Sequence, residues 1–315
     1  MSDALTTETV LEEEAAGAVA PNPNPSKDKA RSLWSDAWRD LRRNPFFIVS
    51  AVLIVVLVLI AVIPSLFTDT DPAHADLVHH YLTGPNWSHV GQADWFGFDG
   101  QGRSVYARTM YGARASIIVG VFTTLGAAVT GSIMGMLAGY YGGWIDSLLS
   151  RLTDVFFGIP LLLGAIVALN AFTHRTVWTV VAAMVFLGWT QITRVMRGSV
   201  ITVKQQDYVQ AARALGASTG RILLRHILPN AVAPVIVVST IALGGYISLE
   251  ATLSFLGIGL PDSAISWGND ISSAQTVIRT APHVLFFPSA LLSITVLAFI
   301  MLGDAVRDAL DPKLR

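Results

Sequence analysis

The sequence contains no cysteine and few charged residues. Because none of its 315 residues is cysteine, the chain can hold no disulfide, cysteine-based zinc site or thiol nucleophile. Only 14% of the residues are charged and 52% are hydrophobic, whereas soluble domains are about 25% charged. The formal net charge is −1, so no basic field favours nucleic acid as a partner. With a mean hydropathy of +0.54, this composition predicts an integral membrane protein.

Motifs for ATP hydrolysis and zinc-dependent catalysis are also absent. There is no G-x-x-x-x-G-K-[ST] loop to cradle phosphates and no H-E-x-x-H pair to bind zinc. We therefore expect a chain that is not an enzyme, has no catalytic residue and binds no cofactor. A metal site is conceivable where imidazoles and carboxylates cluster, but the spacing fits no helical or strand face. We favour a solvated loop without metal for this cluster of His74, His79, His80 and His89 beside Asp71 and Asp76.

The first 30 residues differ from the rest of the chain. They are acidic and then rich in proline and asparagine, with no apolar core. This predicts a disordered cytoplasmic tail over residues 1–30 rather than a signal peptide. Over residues 31–45, Trp34, Trp38 and Leu41 share one helical face, and arginines occupy another. That pattern predicts a juxtamembrane amphipathic helix, with a plain stop-transfer flank as the alternative.

Six apolar segments are each long enough to cross about 30 Å of hydrocarbon. They lie near residues 46–67, 116–140, 148–172, 177–195, 231–257 and 284–303. Most lysines and arginines flank them on the side of the N-terminus, which places both termini in the cytoplasm. The sequence thus predicts an all-α integral membrane protein with six transmembrane helices. Its parts are a first transmembrane helix at 46–67, an extracytoplasmic segment at 68–115, and a core at 116–310 with an extracytoplasmic loop at 258–283.

Small residues recur every four positions in the second apolar segment, at Ala127, Gly131, Gly135 and Gly139. This spacing lets two helix backbones approach closely, so we expect a tight helix–helix contact here. The spacing leaves open whether the neighbouring helix belongs to the same chain or to a partner.

Three acidic residues lie at or near membrane depth, where an unpaired carboxylate is costly. Asp154 comes three residues after Arg151, and an ion pair between them is expected. Asp304 comes three residues before Arg307, and we expect a structural role for it as well. Glu250 lies deep in the fifth segment, which has no basic residue. We expect Glu250 to pack inside the helix bundle or to line a pathway, with a proton relay as the less favoured alternative.

Residues 208–229 read as a helical hairpin between two membrane segments. One apolar stripe follows its first helix: Tyr208, Ala211, Ala212 and Leu215. Gly216 can end that helix in the left-handed conformation. A second helix follows, with Arg221 and Arg225 as an exposed pair, and it ends at Pro229. Such a hairpin could be a DNA-binding helix–turn–helix, which the flanking spans disfavour, a membrane-surface hairpin, or a docking knob for a cytoplasmic partner.

The hairpin resembles the cytoplasmic coupling loop of ABC importer permeases, whose pattern is Glu-Ala-Ala-x-x-x-Gly followed later by Leu-Pro. The matching residues here lie in a coupling loop at 198–229 and are Gln210, Ala211, Ala212, Gly216, Leu228 and Pro229. Gln210 stands where the pattern has Glu, which removes a charge. Further blocks resemble the second permease subunit of the dipeptide/oligopeptide/nickel group: Asp94–Gly120, Gly139–Ile166, Leu249–Pro261, Ser266–Gly268 and Gly303–Pro312.

This resemblance implies the type I ABC importer permease fold and one half of a heterodimeric pore in the bacterial cytoplasmic membrane. The implied partners are a homologous permease, two ABC ATPase subunits that bind ATP and Mg, an extracytoplasmic substrate-binding protein and the lipid bilayer. The residues implied to couple to the ATPase are Gln210, Ala211, Ala212, Arg213, Gly216, Leu228 and Pro229. The implied substrate is a di- or oligopeptide, with nickel or another small solute as the alternative.

Two other classes of membrane protein predict different features of the sequence. A secondary transporter driven by an ion gradient predicts charged residues deep in several spans and internal repeats. The sequence has one deep acid and no repeat. A membrane enzyme requires a convergent catalytic set, and no such set is apparent.

Overall fold

A computed structural model describes residues 38–310. In this range the chain forms helices joined by loops, with one isolated bridge between Phe98 and Ser104 and no strand element. The tail predicted at 1–30, Trp34 and residues 311–315 lie outside the described residues. Residues 38–41 are helical, and Trp38 packs edge-on against Phe47 with ring centroids 6.2 Å apart.

The α-helices are numbered in chain order. They are α1 Pro45–Val62, α2 Leu77–His80, α3 Val105–Tyr141, α4 Gly143–Phe157, α5 Leu161–Asn170, α6 Val177–Gly188, α7 Thr190–Lys204, α8 Asp207–Ala214, α9 Thr219–Arg221, α10 Leu228–Ala231, α11 Ala233–Phe255, α12 Trp267–Ala274 and α13 His283–Leu310. A π-helical turn, Ile222–Ile227, joins α9 to α10, and 3₁₀ turns occupy Pro64–Leu66 and Gln275–Val277.

Four of these helices are long and apolar enough to cross a membrane alone: α1, α3, α11 and α13. Two pairs meet the same test only jointly, because α4 and α5 are bent by 85° and α6 and α7 by 46°. Pro160 explains the first bend, since it has no N–H to continue α4 and its ring restricts Ile159. The segments predicted near 148–172 and 177–195 are therefore broken helices, and the described chain has four to six crossings by length and composition.

The end of α1 is defined by a proline and by an arginine of α3. α1 ends at Val62, before the boundary expected at residue 67, because Pro64 cannot continue the helical hydrogen bonding. Arg114 donates to the carbonyl oxygen of Ala61 at 3.0 Å and to that of Val62 at 2.9 Å. These bonds satisfy two of the last carbonyls of α1 and place a positive charge at its negative end.

The longest helix, α3, has 37 residues and lies at the centre of the bundle. Ser104 caps it by accepting a hydrogen bond from the N–H of Ala107 at 3.1 Å. The first turns of α3 therefore lie within the range 68–115 that was expected to be extracytoplasmic. α3 packs against α1, α4, α6, α7 and α11.

A layer of loops and short helices covers the N-terminal end of α3. We call this layer the cap and define it as residues 64–104 and 258–283. Trp267 is fully buried, and its indole donates to the carbonyl oxygen of Thr109 at 2.9 Å. Arg108 forms a buried ion pair with Asp270. Both contacts fasten the second half of the cap to α3.

Candidate functional site

The stripe of small residues on α3 packs against α7. All of its members are buried: Ala127, Gly131, Gly135 and Gly139. A Cβ atom at Gly135 would lie 2.5 Å from the carbonyl oxygen of Thr193, and one at Gly139 would lie 2.9 Å from that of Arg197. Because no side chain fits between the two backbones, they lie in direct contact. The neighbour that the spacing left open is therefore α7 of the same chain.

Two ion pairs join α4 to α7 beside this contact. The Arg197 guanidinium binds Asp146 in a fork, with Nε 2.5 Å from Oδ1 and Nη2 2.7 Å from Oδ2. Arg194 donates to Asp154 at 2.8 Å. The ion pair expected between Asp154 and Arg151 was wrong, because α7 lies alongside α4 and brings Arg194 closer. Asp154, Arg194 and Arg197 line a cleft of about 490 Å³ between the two helices.

The C-terminal turn of α7 is hydrogen-bonded both to α3 and to the hairpin. The Lys204 ammonium donates to the carbonyl oxygen of Tyr140 at 2.5 Å. The carbonyl oxygen of Lys204 accepts from Nε2 of Gln210 at 2.9 Å. Gln210 is the position at which the chain departs from the Glu of the coupling-loop pattern. A glutamate carboxylate has no N–H and could not donate this bond.

The bend of the hairpin is formed by the backbone around Gly216. Gly216 has φ of +78°, its N–H donates to the carbonyl oxygen of Arg213 at 3.0 Å, and the N–H of Ala217 donates to that of Ala212 at 3.1 Å. This is the Schellman arrangement, and the helix end predicted at Gly216 is confirmed. The second arm runs through α9 and the π-helical turn into α10, whose first turn contains Pro229.

The apolar stripe of the hairpin faces outward. Leu215 is 88% exposed, Tyr208 is 44% exposed and Ala211 is also exposed. We call these three residues the exposed row. The buried residue of α8 is instead Val209. The second arm keeps Arg221 and Arg225 exposed, as expected, and buries Ile222, Leu223 and Ile227. The hairpin therefore attaches to the bundle through Val209 and its second arm.

A cleft of about 470 Å³ opens where both helix bends face α11. We call it the bend cleft. Its lining includes Phe156, Phe157, Leu187, Gln191, Tyr246 and Leu249. The Tyr246 hydroxyl donates to the carbonyl oxygen of Gly188 at 2.9 Å and joins α11 to the second bend. Sequence reasoning missed this cleft, although Gly158, Pro160 and Gly188 were signals of interrupted helices.

The deep acid Glu250 bonds to a serine of its own helix, and that serine bonds to the cap. Glu250 is fully buried and accepts a hydrogen bond from the Ser254 hydroxyl at 2.8 Å. That hydroxyl accepts one from the N–H of Leu260 at 3.1 Å. Glu250 therefore stabilises the turn after α11, and it does not line the bend cleft. Asp304 is exposed and belongs to none of the ion pairs found within residues 38–310.

Two histidines of the cap each pair with a carboxylate. Nδ1 of His79 lies 2.9 Å from Oδ2 of Asp76, and Nδ1 of His89 lies 2.7 Å from Oδ2 of Asp94. The hydrogen bond from His79 lowers the pKa of Asp76. Burial acts to raise the pKa of Asp94, but hydrogen bonds from His89 and Asn86 outweigh it and lower that pKa. In the part of the chain that the structure describes, no three His, Asp or Glu side chains are placed to hold a metal ion.

Residues 216–220 match G-x-S-x-G, a pattern that holds a nucleophilic serine in some hydrolases. That role requires a strand before the serine and a helix after it. Ser218 lies instead between the two helical arms of the hairpin, so the pattern lacks the required structural context.

Two family models match the chain. The model described as binding-protein-dependent transport system inner membrane component matches residues 131–315, which include α7, the hairpin and the bend cleft. The model described as the N-terminal TM domain of oligopeptide transport permease C matches residues 32–85.

Three relatives align with nearly the whole chain. The dipeptide transport system permease protein DppC of Alkalihalophilus pseudofirmus is 37% identical over 307 residues, which are 96% of this chain and 99% of that protein. The oligopeptide transport system permease protein OppC of Bacillus subtilis is 36% identical over 302 residues, 96% and 97% of the two chains. The glutathione transport system permease protein GsiD of Escherichia coli O6:K15:H31 is 36% identical over 298 residues, 95% and 96% of the two chains.

Proposed function

The chain belongs to the family of binding-protein-dependent transport system inner membrane components, and on that premise we propose how it is driven and what it carries. It is a membrane permease subunit of an ABC importer in the bacterial inner membrane. We propose that it forms half of a heterodimeric pore with a homologous permease. ATP and Mg are bound by two separate ATPase subunits, and an extracytoplasmic binding protein delivers the solute.

The proposed substrate is a di- or oligopeptide. The three relatives are named for dipeptide, oligopeptide and glutathione transport, and all three solutes are peptides. Nickel or another small solute is the alternative. Nickel import favours imidazole or carboxylate ligands along the path. Within residues 38–310 no three such side chains lie together.

We propose six spans with both termini in the cytoplasm. In this orientation each bent pair counts as one span, and the cap faces the extracytoplasmic side, where it receives the binding protein. The hairpin then lies in the cytoplasm. The excess of Lys and Arg on the hairpin side supports this arrangement. The domain division follows it: tail 1–30, juxtamembrane helix 31–45, first span from residue 46, and permease core 116–310 with the coupling loop at 198–229.

The exposed row of the hairpin is the observation on which the coupling proposal rests. An apolar row that the chain itself leaves uncovered suits a groove on a protein better than DNA phosphates or lipid headgroups. We propose that an ATPase subunit covers it. Ala211 and Ala212 permit close approach, and Gly216 sets the bend. The remaining contact positions of the coupling loop are Gln210, Arg213, Leu228 and Pro229.

The attachment of α7 supplies a route from the hairpin to the pathway. The last turn of α7 is bonded to the hairpin through Gln210 and to α3 through Lys204. Its middle lies directly on the α3 glycines. Movement of the hairpin on an ATPase therefore moves α7 and α3 together, as a rigid body. We propose that this motion opens and closes a pathway along the bend cleft and the exposed small residues of α11, which are Gly245, Ser248 and Thr252.

Reconstitution tests the proposed function. The chain is assembled in proteoliposomes with the partner permease, the ATPase subunits and the binding protein, and uptake of a labelled dipeptide is measured. We expect uptake that requires ATP on the side of the hairpin and is unaffected when a proton gradient is collapsed. Uptake that persists without ATP and follows the proton gradient would identify a secondary transporter and overturn the proposal.

A further inference from the structure

We propose that the bend cleft is a peptide-binding subsite on the translocation path, and that Gln191 recognises the peptide bond of the solute. This inference rests on the proposed function and adds to it a site and a specificity-determining residue. At about 470 Å³, the cleft falls in the range of about 300–1,000 Å³ that is usual for small-ligand sites.

The lining of the bend cleft is apolar with few polar groups and no charged side chain. Its apolar lining residues include Phe156, Phe157, Leu187 and Leu249. The nearest arginine along α7, Arg194, is bound to Asp154 in the neighbouring cleft. A metal ion or a charged peptide terminus would therefore lose its hydration in the bend cleft without gaining a counter-charge, so the cleft suits the uncharged peptide bond of a solute and not its termini.

Gln191 is the lining side chain that is free to bind a solute. It is exposed to the cleft, and its amide makes no hydrogen bond within residues 38–310. The Tyr246 hydroxyl, by contrast, is buried and donates to Gly188. Thr190, the other polar lining residue, is only 6% exposed.

An amide is the complement of a peptide bond. The Gln191 side chain offers N–H donors and a carbonyl acceptor, which match the C=O and N–H of a solute backbone. The apolar walls can accept side chains of different shape through non-directional contacts. Recognition of the backbone alone, in an apolar and uncharged cleft, gives a site that tolerates many peptide sequences.

Gln191 also lies on the helix that connects the subsite to the hairpin. It lies in the first turn of α7, whose last turn is bonded to the hairpin. One helix therefore carries both the solute contact and the connection to the ATPase side. A solute held by Gln191 would be released or retained as α7 moves.

The test compares a labelled dipeptide with its depsipeptide, in which an ester oxygen replaces the peptide N–H. Uptake of both solutes is measured with the complete importer in proteoliposomes, and the ratio of dipeptide uptake to depsipeptide uptake is calculated for each variant. Because the binding protein is the same throughout, a change in this ratio is caused by the permease. For Gln191→Leu we expect kcat/KM for the dipeptide to fall about three- to tenfold, the range of one neutral hydrogen bond. Uptake of the depsipeptide should fall less.

Two further variants keep the test decisive. Gln191→Glu preserves length but removes the N–H donors, and it should also weaken dipeptide uptake; it replaces Gln191→Leu if that variant fails to assemble. Asn170→Leu removes an exposed amide that lies outside the cleft and should leave the ratio at the wild-type value. A wild-type ratio in Gln191→Leu or, where that variant does not assemble, wild-type dipeptide uptake in Gln191→Glu would overturn the subsite while leaving the proposed function intact. Absence of ATP-driven dipeptide uptake by the wild-type importer would overturn both.

Discussion

Two residues of the hairpin determine how the exposed row is presented. Gly216 adopts φ of +78°, a conformation that costs other residues about 1–2 kcal/mol. Gln210 attaches the first arm to the end of α7 through the carbonyl oxygen of Lys204. Gly216 therefore sets the direction of the second arm, and Gln210 sets the distance of the first arm from the bundle.

Replacing Gly216 with valine is expected to uncouple the importer without preventing membrane insertion. A β-branched side chain is strained at positive φ, so the bend opens and the exposed row turns away from its partner. We expect loss of most ATP-driven uptake and weaker co-purification of the ATPase, with normal membrane yield. Gly220→Val is the matched control, because Gly220 lies in the same hairpin at an ordinary φ with open space around it. Normal uptake and normal ATPase association in Gly216→Val would refute the docking role.

Replacing Gln210 with glutamate distinguishes the effect of its hydrogen bond to Lys204 from the effect of a contact with the ATPase. The carboxylate cannot donate to Lys204, so we expect the free energy of unfolding to fall by about 1 kcal/mol and uptake to change little. Thermal unfolding in detergent and uptake in proteoliposomes measure the two effects. A clear gain in uptake would show instead that a charged contact with the ATPase outweighs the lost bond. Gln210→Leu, which loses the bond without adding charge, is the comparison.

Among the elements, α3 and α7 form the unit on which the rest of the chain depends. Their backbones meet along Gly131, Gly135 and Gly139, and the ion pairs of Arg194 and Arg197 hold α4 against the same helix. The Asp154–Arg194 pair is about half exposed, and such pairs contribute about 0.2–1 kcal/mol. The Asp154–Arg194 pair therefore contributes little to the attachment of α4.

Adding a side chain at Gly135 should separate this unit. In Gly135→Val the new Cβ would lie 2.5 Å from the carbonyl oxygen of Thr193, which is backbone and cannot move aside. We expect a loss of about 1–3 kcal/mol or more in stability, the usual cost of overpacking, seen as a lower unfolding temperature in detergent. Gly198→Val, on α7 but facing open space, should unfold near the wild-type temperature. Equal unfolding temperatures for the two variants would contradict the close contact.

Local features of these elements could be predicted from the sequence, and distant contacts could not. Gly216 and the exposed Arg221 and Arg225 follow from short-range geometry, and these predictions are confirmed. The stripe of small residues predicted a close helix–helix contact, but only the fold identifies α7 as the neighbouring helix. Asp154 was assigned to Arg151 because that residue is near in sequence, whereas its partner comes from another helix. The bend cleft was missed because it requires two interrupted helices to meet a third.

At the scale of the whole molecule, the cap and the hairpin lie at opposite ends of the α3–α7 unit. Trp267 and Asp270 fasten the cap to the first turns of α3, and Lys204 fastens the hairpin side to its last residues. A displacement at the hairpin can therefore reach the cap through one continuous helix of 37 residues. This arrangement suits a machine in which solute delivery and ATP hydrolysis occur on different sides.

The cap should lose stability in acid. The pKa of Asp76 and that of Asp94 are lowered from the ordinary 3.8 in the folded protein. Their hydrogen bonds with His79 and His89 therefore stabilise the cap fully above that value, and this contribution disappears as pH falls through the lower folded pKa. Fluorescence of Trp87 and Trp95 during acid titration measures the transition.

Removing both histidines provides the control for this titration. In the double variant His79→Ala, His89→Ala, each carboxylate loses the hydrogen bond from a histidine side chain that helps to lower its pKa. The acid transition of the cap should then begin at higher pH. A transition at the same pH in both proteins would show that these pairs do not govern it.

The elbow between α4 and α5 also determines how this part of the chain fits the thickness of a bilayer. Residues 143–170 as one straight helix would be about 42 Å long, well beyond a hydrocarbon core of about 30 Å. Turned through 85°, the two helices reach about 28 Å end to end, apart from the residues of the break. The elbow thus reduces a hydrophobic mismatch that a straight helix would have to relieve by tilting or by thickening the bilayer locally. Straightening of the elbow during transport would restore that mismatch, so we expect the rate of transport to depend on the thickness of the bilayer.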